Sequence, residues 1–169
     1  MRGFYDPARF PFTAQLSAQF EELASEARAL EVGAFVESPD SLTSVRGRYD
    51  ERGWRYFALL GPGAEPERAE QCCPRILRAC SAVPGLVNAG LSLFLPGTHL
   101  YPHCGELSGV LRCHLPLIVP EGDVGLLVGG ELRRWREGEC LVFDDRVEHE
   151  AWNHAESARV VLIVSFESR

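Results

Sequence analysis

The residues best able to do chemistry are the histidines, because all of them lie in the second half of the chain. There are five in total: His99, His103, His114, His149 and His154. The proline and glycine that flank His103 predict that it lies at a strand end, and His149 follows a polar turn after a second strand. Two ligands on neighbouring strands suit the mouth of a barrel, where pockets form. Two imidazoles there would suit iron, zinc, copper or nickel.

The sequence leaves two possibilities for the remaining metal ligands. The common non-haem iron site adds a carboxylate, usually two residues after the first histidine. Gly105 occupies that position and has no side chain. Either Glu106 supplies a carboxylate, or the metal has two protein ligands with water at its other positions. Each histidine alone could also be an ordinary hydrogen-bonded residue, so the pair does not establish a metal site.

Two arginines strengthen the functional interpretation. Strand alternation over residues 110–116 places Arg112 and His114 on one face and the apolar side chains on the other. Arg159 begins the most apolar strand of the chain, where an unpaired charge is costly to bury. A guanidinium binds a carboxylate through two hydrogen bonds, so the arginines favour a dicarboxylate that also chelates metal, such as 2-oxoglutarate. The alternative is internal ion pairing with nearby acids: Asp144, Asp145 and Glu148.

The first third of the chain has the periodicity of helices. Apolar residues between positions 16 and 30 recur at steps of three and four, which predicts one helix with Thr13 as its N-cap. Residues 67–82 predict a second helical stretch that Pro74 interrupts. These helices are expected to cover a sheet rather than to carry chemistry.

The rest of the chain has the pattern of strands. Residues 54–60 predict a strand, residues 38–44 a loop, and after residue 85 short apolar runs alternate with glycine and proline turns. Residues 160–164 are apolar on both faces, which indicates a central strand between two layers. We therefore predict a mainly β, jelly-roll-like core with covering N-terminal helices, as one domain over residues 1–169.

Composition excludes several classes of partner. The chain has 17 basic and 24 acidic residues, a formal charge of −7, which disfavours binding to nucleic acid or to anionic membranes. It has six cysteines without a Cys-x-x-Cys motif, and no apolar leader or run long enough to span a membrane. We therefore expect a cytoplasmic protein with reduced thiols. Nothing in the sequence indicates its oligomeric state.

An ordered series of motifs resembles the aspartyl/asparaginyl β-hydroxylase family, which consists of Fe(II)- and 2-oxoglutarate-dependent oxygenases. The series covers nearly the whole chain. It consists of residues 4–6, 10–12, 72–75, 96–105, 111–115, 135–138, 143–153 and 159–162. The resemblance implies a double-stranded β-helix, in agreement with the predicted jelly roll.

The resemblance also implies roles for individual residues. His103 and His149 match the family's iron ligands, which act without a ligating carboxylate, so Gly105 fits the pattern. Asp145 matches an outer-shell acid that holds a metal-bound water. The cosubstrate 2-oxoglutarate would be bound by four further residues. Ser92 and Arg159 match the pair that grips its far carboxylate, and Arg112 and His114 match residues near its other end.

The reaction implied by the resemblance is hydroxylation of an unactivated C–H bond, with O2 and 2-oxoglutarate consumed and succinate and CO2 released. We expect the chain to lack the extensions of the larger animal members, and we therefore expect a small molecule, a carrier-bound amino acid or a short peptide as substrate, including aspartyl or asparaginyl groups. Trp54 and Tyr56 are expected to rim its pocket.

Three alternatives remain open from the sequence. One is a related hydroxylase of a lipid acyl chain, against which the net charge and the acidic helix around Glu21, Glu22 and Glu26 argue. Another is a metal-binding, cupin-like barrel that is not an oxygenase, in which Arg159 would form a structural ion pair. The third is a scaffold without activity, against which the intact histidines and Arg159 argue.

Overall fold

The elements that position the candidate site are mostly strands. The computed structural model describes residues 3–37, 53–105 and 107–168. Within these residues the strands are β1 (Phe4–Tyr5), β2 (Val36–Glu37), β3 (Trp54–Leu60), β4 (Leu86–Phe94), β5 (Thr98–His103), β6 (Val110–Ile118), β7 (Val124–Val128), β8 (Glu131–Arg133), β9 (Leu141–Asp144), β10 (His149–Asn153) and β11 (Arg159–Glu167). The helices are α1 (Pro11–Ala18), α2 (Phe20–Ala29), α3 (Pro66–Cys72) and α4 (Pro74–Ser81), with short 3-10 turns at Pro7–Arg9 and Val32–Ala34.

The strands form two antiparallel sheets. The larger has the order β1-β9-β6-β11-β4-β3-β2 and the smaller has the order β5-β10-β7-β8. β11 lies between β4 and β6, so the prediction of a central strand at residues 160–164 is confirmed. The predicted mainly β, jelly-roll fold with covering helices is also confirmed. The predicted loop at residues 38–44 lies outside the described residues.

Alternation along β6 and β11 separates two cores. One face of the larger sheet packs against the helices, where Leu23, Ile76, Leu115 and Leu162 are fully buried. Full burial of a leucine or isoleucine side chain contributes about 1.5–3 kcal/mol. The other face meets the smaller sheet around Phe94, Leu126, Phe143 and Ile163. Polar side chains that point toward this second core are therefore enclosed between the two sheets.

The predicted first helix is two helices, and its predicted N-cap is wrong. α1 begins at Pro11, whose missing N–H and restricted φ suit a first helical position. Thr13 lies inside the first turn, and its hydroxyl donates to the carbonyls of Pro7 at 2.9 Å and Phe10 at 2.8 Å. Gln19, with φ −96° and ψ 5°, separates α1 from α2. Periodicity predicts the buried face of both helices, but it does not reveal this break.

The interruption predicted at Pro74 is confirmed, and it creates a contact between helices. α3 ends at Cys72, and α4 begins at Pro74. The Glu26 carboxylate of α2 accepts hydrogen bonds from the backbone N–H groups of Arg75 at 3.0 Å and Ile76 at 2.9 Å. A carboxylate at a helix N-terminus satisfies otherwise unpaired N–H groups and favours the helix dipole. Part of the acidic charge of α2 thus has a structural use.

None of the helices in the described ranges is long and apolar enough to cross a membrane.

Candidate active site

Two histidine rings face each other between the sheets. His103 ends β5 and His149 begins β10, and the two are register partners in the antiparallel pair. Their ring centroids are 4.2 Å apart, and both residues are buried. The pairing in the sheet therefore brings together two side chains that are far apart in sequence, as the sequence predicts for a ligand pair.

Backbone carbonyls determine which nitrogen of each ring carries hydrogen. The Nδ1 of His103 lies 2.8 Å from the Tyr101 carbonyl oxygen, and the Nδ1 of His149 lies 2.8 Å from that of Val147. Because a carbonyl only accepts, each Nδ1 donates and each Nε2 keeps its lone pair when the ring is neutral. Burial lowers the pKa of both rings, and burial together with the nearby His103 lowers the pKa of His149 to about 4. Both rings are therefore neutral near pH 7, the state that binds metal.

A carboxylate lies beside the histidine pair. Asp145 Oδ1 is 3.3 Å from the Nε2 of His149, and Asp145 Oδ2 accepts a hydrogen bond from Arg112 at 2.9 Å. Since the hydrogen of His149 is on Nδ1, Oδ1 receives no hydrogen bond there, and no donor in the described ranges reaches this buried oxygen. The lone pair of His149 Nε2 and the carboxylate thus face each other, an arrangement that a cation would stabilise.

The structure explains why position 105, where the common non-haem iron site has a carboxylate, is a glycine. A Cβ built on Gly105 would collide with the Asp145 carboxylate. The Gly105 N–H also donates to the Asp145 carbonyl at 2.7 Å, so the two backbones are close. The carboxylate from the turn after β9 therefore fills the space that a side chain at position 105 would need.

The donor set fits a divalent metal ion of borderline softness. Within the described ranges, no three His, Cys, Asp or Glu side chains form a group that could hold a metal ion. Two imidazoles beside an anionic carboxylate suit Fe(II), with water at the remaining positions. Glu106, the other possible third ligand, lies outside the described residues, so its involvement stays a prediction.

Arg159 is buried in the same cavity, and its only hydrogen-bond partner among the described residues is neutral. Its side chain is 1% exposed, and its Nη2 donates to the Ser92 hydroxyl at 3.0 Å. The guanidinium lies 3.8 Å from the ring centroid of Phe94 and 4.7 Å from that of Trp135. No described Asp or Glu forms an ion pair with it, and burial lowers its pKa to about 9. A buried cation with this environment calls for an anionic ligand.

The two arginines predicted to bind an anion differ in their surroundings. Arg112 forms an ion pair with Asp145, whereas Asp144 pairs with Arg146 at 2.9 Å. The alternative of internal ion pairing is therefore correct for Arg112 and wrong for Arg159. Arg112 still lines the cavity, where its pair with Asp145 keeps that carboxylate in place.

His114 is a third imidazole in this cavity. It is buried, and neither ring nitrogen has a hydrogen-bond partner among the described residues. Its ring centroid is 5.0 Å from that of Phe143, and burial with the nearby charges of Arg112 and Arg159 holds its pKa well below the ordinary value. Leaving a buried polar group unsatisfied costs about 1–3 kcal/mol. A ligand that accepts the imidazole N–H would remove that cost.

One cavity unites the residues singled out from the sequence. His103, His149, Ser92, Arg112, His114 and Arg159 all line it, together with apolar side chains such as Leu126 and Ile163. Asp145 lies beside the histidine pair. Apart from Glu106, the structure thus places the site residues predicted from the sequence in or beside one enclosure between the sheets.

The aromatic residues expected to rim the substrate pocket lie deeper than predicted. Trp54 is buried and lines the cavity, where its Nε1 donates to the Ser92 hydroxyl at 3.2 Å. Tyr56 is also buried, and its ring packs over Gly90, where a side chain would collide with it. Phe94, which stacks on Arg159, is not singled out by sequence reasoning. The register of β4 with β11 places it opposite Arg159.

The fold defines the class of protein. The chain is similar in structure to a prolyl-4-hydroxylase from Pseudomonas putida, with 20% sequence identity and a TM-score of 0.55. The similarity covers 90% of this chain and 88% of that one. At this identity the likeness shows the fold alone, which is the double-stranded β-helix.

The family follows from the sequence comparison. The family model described as aspartyl/asparaginyl beta-hydroxylase matches residues 17–169, and the chain belongs to this family.

Two relatives differ in how much of the chain they match. An ornithine lipid ester-linked acyl 2-hydroxylase from Rhizobium tropici is 40% identical over 96% of this chain. The aspartyl/asparaginyl beta-hydroxylase of Mus musculus is 37% identical over 68% of it. The chain spans 59% of the length of the first relative and 16% of the second.

Proposed function

We propose that this chain is an Fe(II)- and 2-oxoglutarate-dependent dioxygenase that hydroxylates an unactivated C–H bond and releases succinate and CO2. The observation that carries the proposal is one cavity lined both by two neutral imidazoles and by a buried guanidinium that has no ion-pair partner among the described residues. The first feature suits a metal ion, and the second suits a carboxylate. A keto diacid that chelates the metal would use both.

In this proposal the metal is held by His103 and His149. Their Nδ1–H groups are anchored by backbone carbonyls, which fixes the orientation of each ring and leaves each Nε2 as the ligand atom. Asp145 would orient water beside the metal through its unpaired Oδ1. The ion pair with Arg112 holds the Asp145 carboxylate in position.

The far carboxylate of 2-oxoglutarate would bind Arg159 and Ser92. The Ser92 hydroxyl accepts hydrogen bonds from Trp54 at 3.2 Å and from Arg159 at 3.0 Å. Because both contacts use the oxygen as acceptor, the hydroxyl hydrogen is left to donate to the anion. The stacked guanidinium keeps further N–H donors for the same carboxylate. Arg112 and His114 would contact the other end of the cosubstrate.

Iron with bound 2-oxoglutarate and O2 would supply the oxidising power. The contribution of the chain is to orient the cosubstrate and to keep water away. The walls formed by Phe94, Leu126 and Ile163 are buried and apolar, so a bound diacid is shielded from bulk solvent.

For the substrate we propose an acyl chain carried by a polar head group. The relative that matches 96% of this chain is named for that activity. The exposed apolar side chains of Tyr101 and Leu107 flank the segment that carries His103, where they could contact such a chain. The acidity of α2, which argues against a lipid, is partly engaged internally, because Glu26 binds the N-terminus of α4. This proposal runs against the expectation of no membrane partner, which stays untested.

An aspartyl, asparaginyl or other amino-acid substrate is the second candidate. It is favoured by the description of the family and by the match to the mouse relative over 68% of this chain. A metal-binding barrel without oxygenase activity is less well supported, because it requires a structural ion pair for Arg159. The cytoplasmic location and the absence of nucleic-acid binding remain predictions.

The proposal is tested by measuring succinate formed from 2-oxoglutarate in the presence of Fe(II) and air. One set of reactions contains an ester-linked acyl lipid in micelles, and another contains aspartyl or asparaginyl peptides and free amino acids. We expect substrate-dependent succinate and a product with one added oxygen atom by mass spectrometry. Arg159→Met should be inactive at ordinary cosubstrate concentration, whereas Arg136→Met, an exposed matched control, should be active. Succinate formation that is insensitive to Arg159→Met would contradict the proposed cosubstrate site.

A further inference from the structure

A second histidine pair lies on the outer face of the smaller sheet. His103 and His149 are buried, whereas His99 and Glu150 are partly exposed. A register shift against β10 places one extra residue in β5 between Leu100 and His103, so His99 and His103 face opposite sides of the sheet although regular alternation would put them on the same side. His154 follows β10, and its Nε2 lies 3.2 Å from the Nδ1 of His99. The side chains of His99 and His154 are 22% and 42% exposed. Dissolved ions can therefore reach this pair without entering the cavity.

The outer nitrogen of each ring is bound by a carboxylate. The Nε2 of His99 lies 3.0 Å from Glu150 Oε2, and the Nδ1 of His154 lies 3.0 Å from Asp123 Oδ2. An ionised carboxylate only accepts, so these two nitrogens carry the ring hydrogens. In the neutral rings, the two nitrogens that face each other then both present lone pairs. A contact of 3.2 Å between two lone pairs is repulsive unless a cation lies between them.

We propose that His99 and His154 form a peripheral binding site for a divalent cation of the Zn²⁺ or Cu²⁺ type, separate from the cavity between the sheets. Imidazole is a preferred ligand of these ions. Two nitrogens bound to one tetrahedral zinc at about 2.0–2.1 Å lie roughly 3.4 Å apart, close to the observed separation. Water completes the coordination, since no third His, Cys, Asp or Glu side chain joins the pair in the described part of the chain.

The surroundings hold both rings in the orientation that binding requires. A ligating histidine usually donates its other N–H to a carboxylate, and here both rings do so. Tyr101 stacks on His99 with centroids 4.5 Å apart and planes 15° apart. The indole of Trp152 donates to Asp123 Oδ1 at 3.0 Å, which holds the carboxylate that orients His154. Little reorganisation is needed when the metal binds.

A metal at this site would link β5 to the residue after β10. These are the two strands that bring His103 next to His149, so occupancy would stabilise the strand pair that carries the cavity histidines. This consequence concerns stability and does not depend on the proposed hydroxylase reaction.

The test is the stoichiometry of Zn²⁺ binding to the full chain near pH 7.5, measured by isothermal titration calorimetry. We expect the His99→Gln and His154→Gln variants each to bind one equivalent of Zn²⁺ fewer than the wild-type chain. We expect Asp123→Asn to weaken that equivalent about 10–100-fold, because it removes the carboxylate that orients the ring. Tyr101→Phe is the matched control, because it keeps the stacked ring and should keep the metal.

Variants of the cavity histidines distinguish Zn²⁺ bound in the cavity from Zn²⁺ bound at the peripheral site. His103→Ala and His149→Ala should remove any Zn²⁺ bound in the cavity and leave the Zn²⁺ bound by His99 and His154. The peripheral site and the proposed cavity site can therefore be tested independently. Circular dichroism of each variant checks that it folds, and ¹⁵N NMR of the wild-type chain follows the same two rings directly. A stoichiometry unchanged by His99→Gln and His154→Gln would overturn the proposal. The proposal would also be overturned if ¹⁵N NMR showed a proton shared between the rings of His99 and His154 and no change of their signals on addition of Zn²⁺.

Discussion

The role of Arg159 can be tested by replacing it with methionine, which keeps most of the volume and removes the charge. Loss of a buried, hydrogen-bonded charge pair costs about 2–5 kcal/mol. Since 1.4 kcal/mol corresponds to a factor of ten, the concentration of 2-oxoglutarate needed for half-maximal activity should rise roughly 30-fold to several thousand-fold. Arg159→Lys should lie between, because lysine keeps the charge but lacks the planar fork.

The same substitution has an opposite expected effect on folding. Removing one partner of a buried structural ion pair typically costs 3–5 kcal/mol. Among the described residues, Arg159 has only the neutral Ser92 hydroxyl and carbonyl as hydrogen-bond acceptors, so its burial is itself unfavourable in the absence of ligand. We therefore expect the thermal midpoint of the ligand-free Arg159→Met chain to be equal to or above that of the wild type.

Two measurements decide the case: the 2-oxoglutarate dependence of succinate formation and the melting temperature without and with 2-oxoglutarate. The wild-type chain should be stabilised by the cosubstrate, and the Arg159→Met chain should not be at the same concentration. Arg136→Met controls for the loss of a positive charge at an exposed position. An unchanged cosubstrate requirement combined with a lower melting temperature would show that Arg159 is structural.

Other predictions concern the metal pair and the contacts around it. His103→Ala or His149→Ala should abolish iron-dependent succinate formation while circular dichroism stays unchanged; retained activity would refute their assignment. Trp54→Phe removes one hydrogen bond at the anion site, worth about 0.5–1.5 kcal/mol, so the half-saturating 2-oxoglutarate concentration should rise about 2- to 13-fold; an unchanged value would exclude the contact. Gly105→Ala should lower iron affinity, measured by titration of the apoprotein, because the new methyl group collides with the neighbouring carboxylate; wild-type affinity would contradict this.

The sequence by itself determines much of the fold, because local pattern decides which face of each element is buried. Alternation over residues 110–116 predicts correctly that Arg112 and His114 share a face, with the apolar residues on the helix-covered side. The all-apolar run at residues 160–164 predicts the central strand. Periodicity also predicts the covering helices, but the break at Gln19 and the contacts of Thr13 depend on neighbours that a repeat pattern does not contain.

The candidate site depends on distances between residues remote in sequence, which only the tertiary structure decides. Arg112 and Arg159 have the same chemistry, yet one lies against Asp145, and the other forms no ion pair with any carboxylate in the described part of the chain. The absence of a side chain at Gly105 becomes intelligible only when the Asp145 carboxylate is seen in that space. Residue type determines which groups can bind or ionise, whereas strand pairing and sheet packing determine which partners those groups meet, and that choice sets their chemistry.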